Sequence, residues 1–183
     1  PKTLDTGFVN VGEFFLSERV PGGALITLDD RAPGLFDVYR LNMTTGNLTL
    51  DTRNPGDVGA WIPDKWLRVR GARALRKEGG GVLRVRTVRG GFDNDTLVDP
   101  PADDGPTTDW VNVTQWDADD TFLSVSAPGH AFAFTDRGTA LYVLTSVGAD
   151  FVRLVKVSVV WWERGVKITS SLSLIHISEP TRP

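Results

Sequence analysis

The sequence predicts an all-β protein made of short antiparallel strands. Apolar, aromatic and β-branched residues collect in runs of about six residues, which is a normal strand length. Turn-forming Gly, Pro and Asn residues separate these runs along the chain. They interrupt each window in which an apolar stripe at helical spacing would have to continue. We therefore expect strands and tight turns rather than helices.

The composition is that of an ordinary globular protein. Of the 183 residues, 40% are apolar and 23% are charged, and the net charge is −3. This balance gives no electrostatic reason to expect binding to nucleic acid or to anionic membranes. Cysteine is absent, which excludes disulfides and thiol catalysis, and no apolar run approaches the roughly 20 residues that cross a bilayer. These features do not identify the compartment, although the cytoplasm is slightly favoured.

The stretch from Ala24 to Thr52 predicts three strands joined by two tight connections. The strands are expected at Ala24–Leu28, Phe36–Leu41 and Leu48–Leu50. Gly46 is the residue that we expect in the left-handed conformation of the hairpin turn. Phe8–Leu16 also alternates like a strand, so the first four-stranded unit covers about residues 8–52.

A second set of strands follows, in about residues 57–98. Its strands are expected at Val58–Ile62, Trp66–Ala74, Val82–Val88 and Asp95–Val98. An acidic insertion at residues 99–130 then interrupts the series, and it begins with an exposed loop rich in proline and aspartate. The strand-like pieces Trp110–Trp116 and Thr121–Ser126 lie inside this insertion and have no assigned partner.

Residues 131–158 predict a third unit that repeats the opening order of strands and turns. Its strands are expected at Ala131–Thr135, Ala140–Ser146 and Phe151–Val157. The corresponding residues Leu25, Leu67 and Leu141 are separated by about 42 and then about 74 residues, and the excess matches the insertion.

This recurrence predicts the architecture. A four-stranded unit of about 40–45 residues is the repeat of a β-propeller blade. A β-sandwich also has many short strands, but it gives no reason for the recurrence. We therefore predict a partial β-propeller of about three four-stranded antiparallel blades, with a ring that is not closed.

The end of the chain departs from this pattern. Residues 172–183 resemble the translated sequence of an adapter used to prepare sequencing libraries, so we predict an artefact there rather than native sequence. A native terminal strand at Leu172–Ile177 is the alternative. Residues 159–171 fit their surroundings poorly, and they predict either a strand pair around Gly165 or translated intron sequence after Lys156.

Several stretches of the chain resemble a known family. They are Leu28–Asn42, Thr45–Gly46, Trp66–Arg70 and Gly138–Ser146. These stretches resemble the blades of the propeller domain in serine peptidases of the prolyl oligopeptidase family. The resemblance covers most of Gly23–Val157. The same pattern of aspartate, aromatic residue and Thr-Gly also occurs in non-enzymatic propellers resembling the TolB type.

The resemblance implies a propeller that lies over a C-terminal α/β-hydrolase domain of the same parent chain and admits short peptide substrates to its serine. The catalytic serine, aspartate and histidine belong to that hydrolase domain. None of them can be placed on this chain, because it contains no Gly-x-Ser-x-Gly motif. We therefore expect the substrate-gating portion of a serine oligopeptidase whose hydrolase domain is missing here. A TolB-like propeller that binds proteins or ligands is the alternative.

The sequence predicts no catalytic, cofactor-binding or metal-binding residue in this chain. His130 has no second histidine to share a metal once His176 is set aside with the C-terminal segment. Asp117, Asp119 and Asp120 fail the EF-hand pattern, which requires Gly at its sixth position and Glu at its twelfth. A solvated loop is expected there instead.

Positive charge collects in the second unit. The residues are Arg68, Arg70, Arg73, Arg76, Lys77, Arg84, Arg86 and Arg89. Those in strands are expected to line one face of a blade or the channel of the propeller. The acidic chain as a whole argues against nucleic-acid binding.

Glycine clusters and tryptophans are expected to be structural. Gly79–Gly81 and Gly90–Gly91 open no helix and have no following Lys-Ser/Thr, so they predict turns rather than a phosphate-binding loop. The tryptophans expected to pack blade against blade are Trp61, Trp66, Trp110 and Trp116.

Overall fold

The computed structural model describes residues 9–86, 110–124, 134–135, 140–158, 160–162, 165–167 and 173–174. Within these residues every regular element is a β-strand, which confirms the all-β prediction, and no helix suited to crossing a membrane occurs among them. The strands are β1 (Val11–Leu16), β2 (Gly23–Leu28), β3 (Asp37–Asn42), β4 (Asn47–Thr52), β5 (Val58–Pro63), β6 (Val69–Leu75), β7 (Gly81–Arg86), β8 (Trp110–Trp116), β9 (Phe122–Ser124), β10 (Ala140–Thr145), β11 (Arg153–Ser158), β12 (Val160–Trp162), β13 (Gly165–Lys167) and β14 (Ser173–Leu174).

The strands form antiparallel sheets in which strand order follows chain order. β1 to β4 form the first sheet and β5 to β8 form the second. The third sheet has the order β9, β10, β11 and β14, and β12 and β13 form a separate pair. Tight turns are sufficient to join strands that pair with their chain neighbours. The described sheets do not form a closed ring.

The β3–β4 hairpin shows how local sequence shapes the first sheet. Gly46 has a φ of 71°, which confirms the predicted left-handed turn residue. Asn42 Oδ1 accepts hydrogen bonds from the backbone nitrogens of Thr44 and Thr45, each at 3.0 Å. An Asn side chain that binds the backbone two residues ahead stabilises a turn in this way.

Asn54 fixes the connection between the first sheet and the second through its hydrogen bonds. Its Nδ2 donates to the carbonyl oxygens of Val58 at 2.7 Å and Phe36 at 3.3 Å. Its Oδ1 accepts from the backbone nitrogens of Gly56 at 2.9 Å and Val58 at 3.2 Å. Its own backbone nitrogen donates to Asp37 Oδ1 at 2.7 Å. The start of β5 is therefore fixed to the end of the first sheet where β2 turns into β3.

Two apolar clusters stack the sheets on one another in chain order. The cluster between the first and second sheets contains Phe15, Leu25, Val38, Trp61, Leu67, Val69 and Ala72. The cluster between the second and third sheets contains Ile62, Leu83, Val85, Trp116, Phe122, Phe134, Leu141, Val143, Val155 and Val157. The neighbours Trp61 and Ile62 belong to different clusters, so the second sheet has a covered apolar surface on both faces.

The second sheet begins its second strand later than the sequence predicts. The period-two pattern places a strand from Trp66 onward, but β6 begins at Val69. The Asp64 side chain accepts hydrogen bonds from the backbone nitrogens of Trp66 and Arg68, and this contact closes a turn before the strand can start. Local alternation is therefore overruled by an aspartate that caps the turn.

The predicted insertion at residues 99–130 is corrected by the strand pairing. Trp110–Trp116 is β8 and pairs with β7 along its length, so it takes the place that Asp95–Val98 was expected to hold. Phe122–Ser124 is β9 and pairs with β10. The pairing of β7 with β8 spans a long segment of sequence, and such pairing leaves no local pattern. Asp95–Val98 itself lies outside the described residues.

The third unit agrees with the prediction where the structure describes it. β10 and β11 match the expected strands and pair antiparallel over six residues each. Of the expected strand Ala131–Thr135, only its last two residues are described, and Phe134 forms a bridge with Leu141. β12 and β13 form the strand pair expected around Gly165. β14 lies within residues 172–183 and pairs with β11, and the adapter origin of that segment stays a prediction.

Candidate functional site

The first strands of the first two sheets lie side by side. Trp61 N on β5 donates a hydrogen bond to Glu13 Oε2 on β1 at 3.2 Å. Ser17 Oγ, which follows β1, donates to the carbonyl oxygen of Lys65, which follows β5. Since β1 and β5 are the outermost strands of their sheets, each presents one backbone edge to its surroundings. We call this surface, made of β1, β5, Ser17 and Lys65, the β1–β5 edge.

A β-bulge in β1 aims Glu13 at the second sheet. The register of β1 with β2 shifts between Val11 and Phe14, and Glu13 N donates to Thr27 Oγ1 at 2.6 Å. A Cβ atom on Gly12 would lie 2.6 Å from the same hydroxyl oxygen, so a larger residue does not fit there without movement. Bulges redirect side chains at sheet edges, and this one brings the Glu13 carboxylate to β5.

The Glu13 carboxylate is poorly hydrated even though much of the side chain reaches the surface. Desolvation by the surrounding protein atoms raises the pKa of Glu13 above its usual value. The hydrogen bond from Trp61 N and the positive charge of Arg73 act in the opposite direction but do not cancel the effect. The β1–β5 edge therefore carries a carboxylate that accepts a hydrogen bond and is protonated more readily than a fully hydrated glutamate.

Asp64 orders the turn that follows β5. Its side chain is buried, and it accepts hydrogen bonds from Trp66 N at 2.8 Å, Arg68 N at 3.1 Å and Arg68 Nε at 2.8 Å. The same carboxylate lies 3.7 Å from Arg70 Nη1. Leu67, inside this turn, has a φ of 56°, which is unusual for a residue other than glycine. Its side chain is buried between the first two sheets.

Arg70 is a buried cation between the second and third sheets. Only 2% of the residue is exposed, and its guanidinium carbon lies 4.9 Å from the centre of the Phe134 ring. Burial lowers the pKa of Arg70 to about 10, while the negative charge of Asp64 opposes this shift. Arg70 therefore keeps its charge at neutral pH, and its guanidinium packs against the Phe134 ring in the interior.

Two further arginines brace the first sheet. Arg40 Nη2 donates to Asp51 Oδ1 at 2.8 Å and to the carbonyl oxygen of Leu67 at 2.8 Å, so it joins β3 to the β5–β6 turn. Arg31 donates two hydrogen bonds to the Asp37 carboxylate, at 2.9 Å and 2.8 Å. Paired hydrogen bonds of this kind fix an arginine in one orientation.

The predicted positive face of the second unit is largely engaged with acids. Arg84 binds Asp57 through two hydrogen bonds, at 2.8 Å and 2.7 Å. Arg76 Nη1 lies 3.1 Å from Asp117 Oδ1. Among the remaining predicted residues, Arg68 and Arg70 contact Asp64 and Arg86 is buried, whereas Arg73 is half-buried, Lys77 is exposed and Arg89 lies outside the described residues. These contacts neutralise much of the charge that the sequence gathers there.

The acidic residues between β8 and β9 form a self-contained turn. Asp117 N donates to Asp120 Oδ2 and Asp120 N donates to the carbonyl oxygen of Asp117, both at 3.1 Å, and Asp119 is exposed. In the described part of the chain, no group of three acidic or histidine side chains is placed to hold a metal ion. His130 and His176 both lie outside that part.

The packing role expected of the tryptophans is confirmed at three of the four positions. Trp61 lies in the cluster between the first two sheets, and Trp110 packs against that cluster. Trp116 stacks on Phe122 in the next cluster, with 4.1 Å between ring centres. Trp66 differs, because it is partly exposed in the turn after β5.

Comparison with known proteins adds a distant relationship. The chain is 28% identical over 93 residues to dipeptidyl aminopeptidase BIII of Pseudoxanthomonas mexicana. The chain has a peptidase relative. The match covers 51% of this chain, and the chain spans only 13% of the relative. No family model matches the chain, and no solved structure matches it.

The relationship therefore concerns one part of a much longer protein. It assigns no catalytic residue to this chain. The β1–β5 edge offers a partly desolvated carboxylate and the outer backbone groups of two strands. Groups of this kind can hydrogen-bond an extended peptide.

Sequence reasoning did not single out Glu13, Asp64 or Asn54. Asn54 and Asp64 had a local signal. Each lies beside a proline and before turn residues, and this pattern favours side-chain hydrogen bonds to the backbone ahead. Glu13 had none, since its hydrogen-bond partner Trp61 is 48 residues away in sequence.

Proposed function

We propose that this chain is part of the β-propeller domain of a serine peptidase in the prolyl oligopeptidase family. In that role the three four-stranded sheets are successive blades. The propeller lies over an α/β-hydrolase domain in another part of the same polypeptide, and it restricts entry to short peptides. The serine, aspartate and histidine of catalysis are supplied by the hydrolase domain.

The observation that carries this proposal is the succession of the sheets. Each of the first two is a four-stranded antiparallel meander, the third begins in the same way, and they pack face to face in chain order. Propellers are built by repeating such four-stranded sheets around a central channel. The relationship to a dipeptidyl aminopeptidase supports a peptidase as the parent protein.

The β1–β5 edge is the part of this chain that we assign to the channel. β1 and β5 are the first strands of their sheets and lie beside each other, as strands around a common passage must. Bulges interrupt both strands, between Val11 and Phe14 and between Val58 and Ala60. Bulges redirect side chains at a sheet edge, so the passage is lined by redirected side chains, Glu13 among them, as well as by strand backbone.

The test uses the full-length protein that contains this chain. A fluorophosphonate probe should label one serine outside residues 1–183, and peptides of graded length should be cleaved only when short. Labelling of the serine together with cleavage of long as well as short peptides would contradict the gating role. Absence of labelling and of peptide cleavage would favour the alternative, a TolB-like propeller that binds proteins or ligands.

A further inference from the structure

The strand order gives the first three sheets a common end. Each of the first two sheets has four antiparallel strands in chain order, so its first strand begins and its last strand ends at the same end. The β2–β3 and β6–β7 turns lie at this end with the β4–β5 and β8–β9 connections, and the β10–β11 turn lies at the corresponding end of the third sheet. We call this surface, made of these turns and connections and the strand ends beside them, the entry end.

Hydrogen bonds join the segments of the entry end into one surface. Asn54 fixes the β4–β5 connection to the first sheet. Leu75 N, at the end of β6, donates to the carbonyl oxygen of Asp57 in that connection at 2.7 Å. Thr121 N, in the β8–β9 connection, donates to Ser146 Oγ in the β10–β11 turn at 2.8 Å. The entry end is therefore continuous from the first sheet to the third.

Large apolar side chains are exposed at the entry end. Among the described residues, those that are more than half exposed are Val11, Leu75, Phe151 and Val152. All four lie at the entry end, and Phe151 reaches 83% exposure in the β10–β11 turn. At the opposite end of the described sheets, the most exposed large apolar residue is Met43, at 46%. Exposed apolar side chains that gather on one surface mark an interaction site.

Charged residues of both signs surround these apolar side chains. Lys77, Asp119 and Asp150 are exposed at the entry end, and Arg76 Nη1 lies 3.1 Å from Asp117 Oδ1 beside them. An apolar centre with a polar rim is typical of an interface between folded proteins. An anionic membrane selects positive charge instead. The composition of the entry end therefore favours a protein partner.

The course of the chain indicates which protein that partner is. Because the first two sheets have an even number of strands, polypeptide that continues from the first strand or the last strand of such a sheet leaves it at the entry end. Another domain of the same polypeptide is therefore tethered at this end, and a tether holds its partner at a high effective concentration. The relative is long enough to contain such a domain, since this chain spans only 13% of it.

We propose that the hydrolase domain of the same polypeptide docks on the entry end, and that Leu75, Phe151 and Val152 are apolar contacts of that interface. The inference rests on the proposed function, which requires a hydrolase domain but leaves open which end of the propeller faces it. The channel lined by the β1–β5 edge then opens towards the serine at the end where β1 and β5 begin.

Photo-crosslinking in the full-length protein that contains this chain tests the docking end. The variants Phe151→p-benzoylphenylalanine and Leu75→p-benzoylphenylalanine place a photoreactive side chain at the entry end, and two positions are used so that the failure of one variant to fold leaves the other. Met43→p-benzoylphenylalanine, at the opposite end, is the matched control. After irradiation, mass spectrometry identifies the peptide joined to each position. The fluorophosphonate probe identifies the domain that carries the serine.

We expect positions 75 and 151 to cross-link to the serine-bearing domain of the same molecule at least about tenfold more than position 43, because a tethered interface is occupied almost continuously. Cross-links to that domain from position 43 alone would overturn the proposal. So would cross-links from positions 75 and 151 to a second copy of the protein, which appear as a dimer on a denaturing gel, or the absence of cross-links from both positions.

Serine labelling separates this proposal from the proposed function. If no serine is labelled, the peptidase assignment fails. Cross-links to residues outside 1–183 then still report which end of the sheets is covered, so docking on the entry end fails only through the cross-linking outcomes.

Discussion

Asp64 concentrates more contacts than other acidic residues of the second sheet. It binds two backbone nitrogens of its own turn and the Arg68 side chain, and it lies beside the buried Arg70. Buried hydrogen-bond donors are costly to leave without an acceptor, and this one carboxylate accepts hydrogen bonds from several of them. Its contribution to stability should therefore exceed that of a surface ion pair.

Asp64→Ala should lower the free energy of unfolding by about 3 kcal/mol, because removing one partner of a buried ion pair leaves the other charge poorly compensated. Asp57→Ala is the matched control. It removes the carboxylate that binds Arg84, but Asp57 is 41% exposed, so the loss should stay below about 1 kcal/mol. Urea unfolding of the full-length protein that contains this chain, followed by tryptophan fluorescence, measures both. Equal losses would show that burial of Asp64 contributes nothing special.

Glu13 gives a prediction about pH. Its pKa is raised by desolvation above 4.5, so the folded chain keeps this proton to a higher pH than the unfolded chain. The contribution of Glu13 to the free energy of unfolding therefore falls as the pH rises above about 4.5. Glu13→Gln keeps an oxygen that accepts from Trp61 N and does not titrate. The melting temperature of the variant, relative to the original chain, should increase between pH 4 and pH 7.

The control for this pH effect is Glu18→Gln, in the exposed turn after β1. Differential scanning fluorimetry at several pH values compares the two variants with the unsubstituted protein, each in the full-length protein that contains this chain. A Glu13→Gln curve that runs parallel to the original at every pH would contradict the proposed desolvation of Glu13.

At the scale of elements, the β6–β7 turn shows how a glycine meets a neighbouring strand. Gly80 has a φ of 69°, and the turn expected at Gly79–Gly81 is confirmed. A Cβ atom on Gly80 would lie 2.1 Å from the carbonyl oxygen of Trp116. The turn therefore packs closely against β8. A side chain at Gly80 would clash with that strand as well as strain the turn's own backbone.

Gly80→Ala should cost at least about 2 kcal/mol, because both the left-handed conformation and the backbone clash oppose it. Gly46→Ala separates the two effects. Gly46 has a similar φ of 71°, but nothing lies within 4 Å of its Cβ position, so about 1 kcal/mol is expected. Chemical unfolding of the two variants, made in the full-length protein that contains this chain, provides the comparison. Similar losses would mean that the β6–β7 turn moves freely away from β8.

The strands that sequence predicted well are those whose turns are local. β2, β3 and β4 follow one another through short turns, and Gly46 marks one of them unambiguously. β8 was left unassigned because its partner β7 is far away in sequence, and alternation alone does not say which strand pairs with which. The sequence did not predict the Asp64–Arg70 contact for a related reason. The burial of Arg70 depends on Phe134, which lies in a distant segment of the chain.

For the whole molecule, the open edges and faces matter more than any single site. β1, β4, β5 and β8 are the outer strands of the first two sheets, and unpaired edges invite pairing with other chains. In the proposed propeller, three sheets do not close a ring that normally holds four to eight blades. We therefore expect the isolated 183-residue chain to self-associate or to be partly unfolded.

Two lysine variants separate edge pairing from simple hydrophobic exposure. Val11 is 59% exposed on the edge strand β1, and Phe151 is 83% exposed in the turn before β11. If edge pairing drives association, Val11→Lys should shift the sedimentation profile toward monomer more than Phe151→Lys does, although Phe151 is the more exposed side chain. A charge on an edge strand blocks the approach of a second strand, whereas a charge in a turn does not. A monodisperse monomer with a cooperative thermal transition in the original chain would contradict the expectation, because the sheets would then be stable without further blades of the proposed propeller.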